Sequence, residues 1–270
     1  MNPLAPLPQL SETAFQGFRR LLRDTAGIDL AASKKPLVSG RLLKRLRSLG
    51  LGGFDDYLHL AQRDAGESQQ AIDLLTTNET HFFREPAHFA CLRERILPSL
   101  QAGRPLRIWS AASSTGQEAW TIAMVLARHL PQRPWEVFAS DISSRVIATA
   151  SRAIYPLPQA REIPPDFLQD YCLRGTGRQE GQFAIVPELR QRVRFARVNL
   201  NAPLPQLGSF DVIFLRNVLI YFNGDARRAL VQRVVERLAP RGWLLVGHSE
   251  SVSDLGLDMQ AVMPSVYRKP

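Results

Sequence analysis

From Ser11 onward, apolar residues return at helical spacing. Phe15, Phe18, Leu21 and Leu22 recur on one side, Ser11 and Thr13 are able to cap the start, and Gly27 supplies a stop. Pro3, Pro6 and Pro8 precede this run and predict a loose tail over residues 1–10. A second amphipathic stretch, roughly Pro36 to Leu49, puts Leu42, Leu46 and Leu49 on one side. Arg41, Lys44 and Arg45 fall on the other, with Arg47 at the flank. Gly50, Gly52 and Gly53 end it. Phe54 to Leu60 and Ala71 to Leu75 read as two more helical pieces. Residues 11–75 are therefore expected to form a small all-helical unit, with 76–90 as a linker or lid leading out of it.

After that the period changes. RPLRIWSA (104–111), WEVFASD (135–141), RVRFARVNL (192–200), FDVIFLRN (210–217) and WLLVGHS (243–249) are short runs rich in Val, Ile and Phe. Helical stretches at 117–130, 143–153 and 225–238 separate most of them. Strands alternating with helices predict a parallel, doubly wound sheet covered on both faces, filling residues 91–270. Ala261 to Tyr267 offers a final strand. The interval 155–192 breaks the alternation. It holds Pro156, Pro158, Pro164, Pro165 and the stretch RGTGRQEGQ (174–182), and Phe183 to Val186 reads as a strand. It is too long for an ordinary loop, so a short helix near 165–172 and a small β hairpin insert are expected.

Composition removes several classes. In 270 residues, 45% are apolar and 22% charged, which suits a globular chain. No run of about 18 apolar residues predicts a membrane span, and the start MNPLAPLPQLSE does not read as a signal peptide, so the cytoplasm is the expected compartment. Cys91 and Cys172 alone make no disulfide framework and no zinc spacing; both are expected as small buried residues. The net charge of +9 reads either as solubility or as an anionic partner. Between Asp29 and Asp55 stand six basic residues and no acidic one, so the second helix carries either a solvated face or a docking face.

In a parallel sheet, ligands bind beyond the carboxyl ends of the strands. The first strand is followed by Ser110-Ala-Ala-Ser-Ser-Thr-Gly116-Gln-Glu118 and then a helix. Small residues there admit a ligand close to the backbone, although the run lacks the dinucleotide GxGxxG. The second strand ends at Asp141, which suits either a ribose diol or the cap of the next helix. Asn199 and Leu200 after the third strand suit an adenine edge and face, or simply a turn before Pro203. Arg216, Asn217 and Tyr221 follow the fourth strand, where a reacting substrate lies, or else form a loop ion pair and a core aromatic. Upstream, Thr76-Thr-Asn78-Glu-Thr80-His81-Phe-Phe-Arg84-Glu85 packs hydrogen-bonding groups beside two phenylalanines, as a lid does. His81 reads as a base or as a structural histidine.

The strings TTNETHFFRE (76–85), RIWSAASSTGQE (107–118), FASDIS (138–143), FLRNVLIYF (214–222) and GHSES (247–251), in this order and spacing, resemble the CheR family of chemotaxis receptor methyltransferases. The likeness extends over nearly the whole chain, including the basic helix and the insert; the first ten residues match nothing in it, and His81 and Gln117 occupy positions expected to vary. The resemblance implies a Rossmann-like class I methyltransferase sheet with a small antiparallel insert, preceded by an all-helical domain. It implies transfer of a methyl group from S-adenosylmethionine to glutamate carboxylates on chemoreceptor helices, leaving S-adenosylhomocysteine. Asn78, Thr80, Arg84, Glu118, Asp141, Asn199, Leu200, Arg216 and Asn217 would contact the cofactor. Arg84 and Tyr221 would be catalytic, Arg84 as anchor for the cofactor's or the substrate's carboxylate. Arg41, Lys44 and Arg45 would dock the receptor, and the insert would take a receptor's C-terminal tail peptide. No metal, nucleic acid or membrane insertion is expected, and a monomer is the default.

The chemistry is self-consistent. A glutamate carboxylate has a pKa of about 4.3, is ionised at pH 7 and needs no general base, which weakens a catalytic role for His81. Two rivals stand. A nucleic-acid methyltransferase fits the charge, but amino-group methylation of bases uses an Asn/Asp-Pro-Pro-aromatic string where this chain has Arg216-Asn-Val-Leu. A cofactor-sensing adaptor without transfer activity fits the binding residues, and Arg84 and Tyr221 argue against it.

Overall fold

The computed structural model describes residues 8–101 and 103–270, and they fall into two compact units. Pro3 and Pro6 of the expected tail lie outside the described residues; of the tail's end, Leu10 is buried.

The first unit runs to Thr77 and includes Tyr221–Asn223. Helix α1 (Glu12–Ala26) starts where the Ser11 hydroxyl accepts the Ala14 N–H and stops at Gly27, whose φ of 73° lets its N–H turn back to the Arg23 carbonyl. Its buried stripe is Ala14, Phe15, Phe18, Leu22 and Ala26. Helix α2 (Lys35–Ser48) buries Val38, Leu42 and Leu46, one residue per turn. Helix α3 (Phe54–Arg63) contributes Tyr57 and Leu58 to the same core. Helix α4 (Ala65–Leu75) begins a turn and a half earlier than its apolar residues predict. The Asp64 carboxylate caps it by accepting the Glu67 N–H at 2.7 Å, and a polar stretch follows the cap.

Packing of α4 on α2 changes the expected basic face. Arg41 donates to the Leu75 and Thr76 carbonyls at 2.9 and 3.0 Å, satisfying the carboxyl end of α4. Arg45 forms an ion pair with Glu67. Arg41 and Arg45 thus serve the unit's own fold, while Lys44 and Arg47 are exposed. This unit holds ten basic and eight acidic residues, so most of the net charge lies in the second unit.

The second unit spans Asn78–Ile220 and Gly224–Pro270. Its seven-stranded sheet comprises β1 (Leu106–Ser110), β2 (Trp135–Asp141), β6 (Val193–Arg197), β7 (Phe210–Leu215), β8 (Leu238–Val246), β9 (Gln260–Met263) and β10 (Val266–Arg268). The strand order is β6-β2-β1-β7-β8-β10-β9. The first five are parallel; β10 runs antiparallel to β8 and β9. The chain winds outward from β1 to β6 and then returns to β7 on the other side of β1. That reversal opens a crevice at the carboxyl ends of β1 and β7. Trp109, Ile108, Val212, Phe214 and Leu245 fill the sheet's interior.

Three expectations are corrected. The last strand of the parallel set begins at Leu238, inside the helix expected over 225–238, which closes at Val235. The single final strand is a hairpin turned at Ser265, where φ is 61°. The insert is a three-stranded antiparallel sheet of β3 (Ile154–Pro156), β5 (Gln182–Ile185) and β4 (Cys172–Arg174), not a hairpin, because Ile154–Pro156 pairs with Gln182–Ala184. Cys91 is buried as expected, whereas Cys172 is half-buried, and burial pushes its thiol up to about 12.

The turn after β1 depends on Gly116. Its φ is 96°, and a Cβ there would lie 2.8 Å from the Ala150 methyl and 2.9 Å from the Tyr155 hydroxyl. Tyr155 donates that hydroxyl to the Thr115 carbonyl at 2.8 Å, so the insert's first strand braces the turn. Gly116→Ala is expected to destabilise the protein by about 2 kcal/mol or more, from left-handed strain plus the clash, read as a lower urea midpoint.

Candidate functional site

The small-residue turn 110–116 is held from below by a carboxylate. Asp141, at the carboxyl end of β2, accepts the Ser114 N–H at 2.9 Å through Oδ2 and the Ser143 N–H at 3.0 Å through Oδ1. The cap of the next helix (Ser144–Arg152) is Ser143, whose hydroxyl accepts the Val146 N–H. Ser143, not Asp141, is therefore the cap residue. The Ser114 hydroxyl donates to the Asn78 carbonyl at 2.8 Å, which draws the upstream string onto the same turn.

A second cluster forms around Arg216, just past β7. Its side chain is 1% exposed. One guanidinium nitrogen donates to Glu118 at 2.7 Å; the other donates to the Arg84 carbonyl at 2.6 Å and to Glu85 at 2.9 Å. Glu118 opens the helix Gln117–His129 and also accepts the Ser110 hydroxyl at 2.7 Å. Glu85 further accepts the Asn217 side-chain amide at 3.1 Å and the His248 N–H at 3.2 Å. Burial alone would raise the Glu85 carboxyl, but hydrogen bonding and charge from Arg216, helped by Asn217 and His248, outweigh it and hold the group at about 2. Two carboxylates on one guanidinium leave the cluster with net negative charge, an environment suited to a cationic ligand group.

The remaining expected residues are placed as follows. Arg84 donates its side chain to the Glu79 carbonyl at 2.9 Å. Thr80 is half-buried and His81 exposed. Asn199 accepts the Asn201 N–H at 2.9 Å, forming the turn after β6, and Leu200 is buried there. Tyr221 ends a single 3-10 turn (Leu219–Tyr221) and belongs to the first unit, where its carbonyl accepts the Asp29 N–H at 3.1 Å. Asn78, Ser114 and Asp141 thus meet, as do Arg84, Glu118, Arg216 and Asn217.

The sequence reading assigned no role to Glu85, His88, His248 or Glu250, although the FFRE and GHSES strings contain three of them. His88 is buried, with Nε2 2.7 Å from the Ser265 hydroxyl and Nδ1 3.3 Å from Glu85. Burial, followed by the Arg216 charge, lowers it to about 4. Among the described residues, Glu85, His88 and His248 bring one potential metal-ligand atom each to within 4.8 Å of the others. The nearest Glu85 oxygen is already engaged by Arg216 and the His248 N–H, so the carboxylate is spent on the guanidinium.

Residues 78–267 match the family described as CheR methyltransferase, SAM binding domain, and residues 13–76 match CheR methyltransferase, all-alpha domain. A chemotaxis protein methyltransferase 2 of Pseudomonas aeruginosa is 42% identical over 94% of this chain and 91% of its own length. The chemotaxis protein methyltransferase of Escherichia coli is 43% identical over 91% and 87%, and that of Salmonella typhimurium 41% over 96% and 90%.

The two shifted groups separate in pH. His88 is held below its ordinary 6.5, so the unfolded chain takes up a proton first and folding stability falls as pH drops from about 6.5 to about 4. The loss is on the order of 3 kcal/mol, and His88→Gln is expected to remove it. Glu85 acts lower, between its ordinary 4.5 and about 2. Urea unfolding at a series of pH values resolves the two windows.

Proposed function

The chain belongs to the CheR methyltransferase family, and on that premise we propose that it methylates glutamate side chains of chemoreceptors in the cytoplasm. Glutamate methyl ester and S-adenosylhomocysteine are the products. The observation that carries the reading is the reversal of strand order between β1 and β7, past whose carboxyl ends Asp141 braces a small-residue turn and Glu118 pairs with Arg216. The residues fit S-adenosylmethionine by their chemistry. Asp141 suits the ribose hydroxyls, Glu118 the ammonium, and Asn199 and Leu200 the adenine edge and face, with Asn78, Thr80, Arg84, Arg216 and Asn217 completing the contacts.

The cofactor supplies an electrophilic methyl group on a sulfonium; the glutamate oxygen forms the new C–O bond, and the C–S pair stays on sulfur. The protein's part is alignment and water exclusion. Holding two reactants in line contributes up to roughly 7–11 kcal/mol, and no proton has to move. Arg84 presents a fork that pairs with both oxygens of a carboxylate. Tyr221, the residue following the turn after β7, donates a hydrogen bond to the incoming carboxylate.

Receptor engagement is assigned to two places. The exposed Lys44, with Arg47 beside it and Arg41 and Arg45 behind, offers positive charge to glutamate-bearing helices. In the insert, β4 is an edge strand with Leu173 53% exposed, a geometry that accepts an extended tail peptide as an added strand.

Asp141→Ala is expected to weaken S-adenosylhomocysteine binding by about tenfold or more, since a hydrogen bond to a charged group contributes about 1.5–3 kcal/mol. Calorimetric titration reads it; wild-type affinity in the variant would remove Asp141 from the site. Lys44→Glu and Leu173→Asp are expected to raise KM for a receptor fragment while leaving cofactor affinity unchanged, and the Lys44 effect shrinks as salt rises. Loss of cofactor affinity in either variant would argue against separate docking and catalytic parts.

A further inference from the structure

Glu250, in the GHSES string after β8, has no part in the reaction as described, yet the residue is 7% exposed and its carboxylate heavily used. One oxygen accepts the backbone N–H groups of Asn217 at 2.8 Å and Gly247 at 2.7 Å. The other accepts those of Leu219 at 2.7 Å and Ile220 at 3.3 Å. Three of the four belong to the turn that follows β7.

That turn needs holding. Asn217 sits at a φ of 56°, and past Leu215 the strand's ladder has ended. The adjacent parallel strands β7 and β8 bring their carboxyl ends side by side, with Leu215 opposite Val246. A carboxylate from the second loop therefore reaches the amides of the first, and the cluster of N–H dipoles compensates its charge. Gly247 gives independent support. A Cβ at this position would lie 2.6 Å from the Asn217 side-chain Nδ2 and 2.8 Å from the Glu250 carboxylate. With the Asn217 backbone nitrogen 3.0 Å from the same point, the two loops approach closely here.

We propose that Glu250 is a positioning residue for methyl transfer: it sets the backbone of 217–220 and, through it, the reactive side chains of the turn. Asn217 starts this segment, Arg216 precedes it and Tyr221 follows it directly, so the inference rests on the proposed site while naming a residue outside it.

Two variants approach the clamp from opposite sides. Glu250→Gln keeps the size of the side chain but turns an NH2 toward two of the backbone N–H groups. Gly247→Ala keeps the carboxylate's charge but puts a methyl against it and against the Asn217 side-chain amide, forcing the loops apart, and serves if the first variant folds poorly. Amide hydrogen exchange is followed over residues 214–222 and over β1 and β2. Alongside it, S-adenosylhomocysteine affinity and the kcat and KM for a receptor fragment are measured well below the melting temperature.

The expected result is faster exchange confined to 217–220, with kcat lowered about tenfold and KM for the receptor fragment nearly unchanged, as leaving buried N–H groups unsatisfied predicts. Unchanged exchange at 217–220 overturns the clamp. Faster exchange with kcat and cofactor affinity within twofold of wild type overturns the positioning role and leaves a purely structural one. A wild-type protein that binds no S-adenosylhomocysteine sinks the proposed site instead, and the exchange measurement still judges the clamp by itself.

Discussion

A guanidinium almost stripped of water cannot be left alone. Arg216 is 1% exposed at the side chain, and its charge is met by Glu118, Glu85 and the Arg84 carbonyl. Those partners come from two separate stretches of the chain, so one buried cation joins the upstream string and the start of the helix after β1 to its own turn after β7. Removing Arg216 leaves two half-dry carboxylates without their shared counter-ion, and removing either carboxylate strips a buried N–H of its acceptor. The low Glu85 pKa of about 2 is the same fact seen from the carboxylate. With two acids on one base, the crevice retains an excess of negative charge, which suits a ligand that carries a sulfonium and an ammonium.

Carboxylates on backbone amides are the second device, repeated around the sheet. Asp141 holds the turn after β1, Glu250 the turn after β7, and Glu162 of the insert accepts the Phe82 N–H at 3.1 Å. Asp211, at the other end of the strands, accepts the Arg107 N–H at 2.9 Å and pairs with Arg104. Loops beyond the ends of strands have lost their ladder partners, and buried N–H groups must be satisfied somewhere. An ionised acceptor takes several of them at once and places the loop as it does so.

The basic helix of the first unit shows why a charge on a helical wheel is not yet a surface. Arg41 and Arg45 are spent on the end of α4 and on Glu67, because α4 packs against α2 on that side. Lys44 and Arg47, one and two positions from Arg45, remain in solvent. Ten basic residues against eight acidic ones make this unit close to neutral, so any attraction to acidic helices is local rather than a property of the whole unit.

Periodicity by itself settled the order of elements: the helical first unit, the alternation of strand and helix, the capped start of α1 and its glycine stop, and the strands that carry Asp141 and Arg216. Those features are local, since burial repeats every three to four residues in a helix and every residue in a covered parallel strand. Five short strings in order were enough to indicate the family, and with it the cofactor. Tertiary structure alone decided the rest. Ser143 rather than Asp141 caps the helix after β2, Tyr155 of the insert braces the first turn, and the closing segment folds back as an antiparallel hairpin. Glu85 and Glu250 acquired their parts only because β1, β7 and β8 lie side by side, which brings residue 85 to 216 and residue 250 to 217. No spacing along the chain encodes such a meeting, because it is set by which strand ends face one another and by the need of buried charges and amides to find partners there.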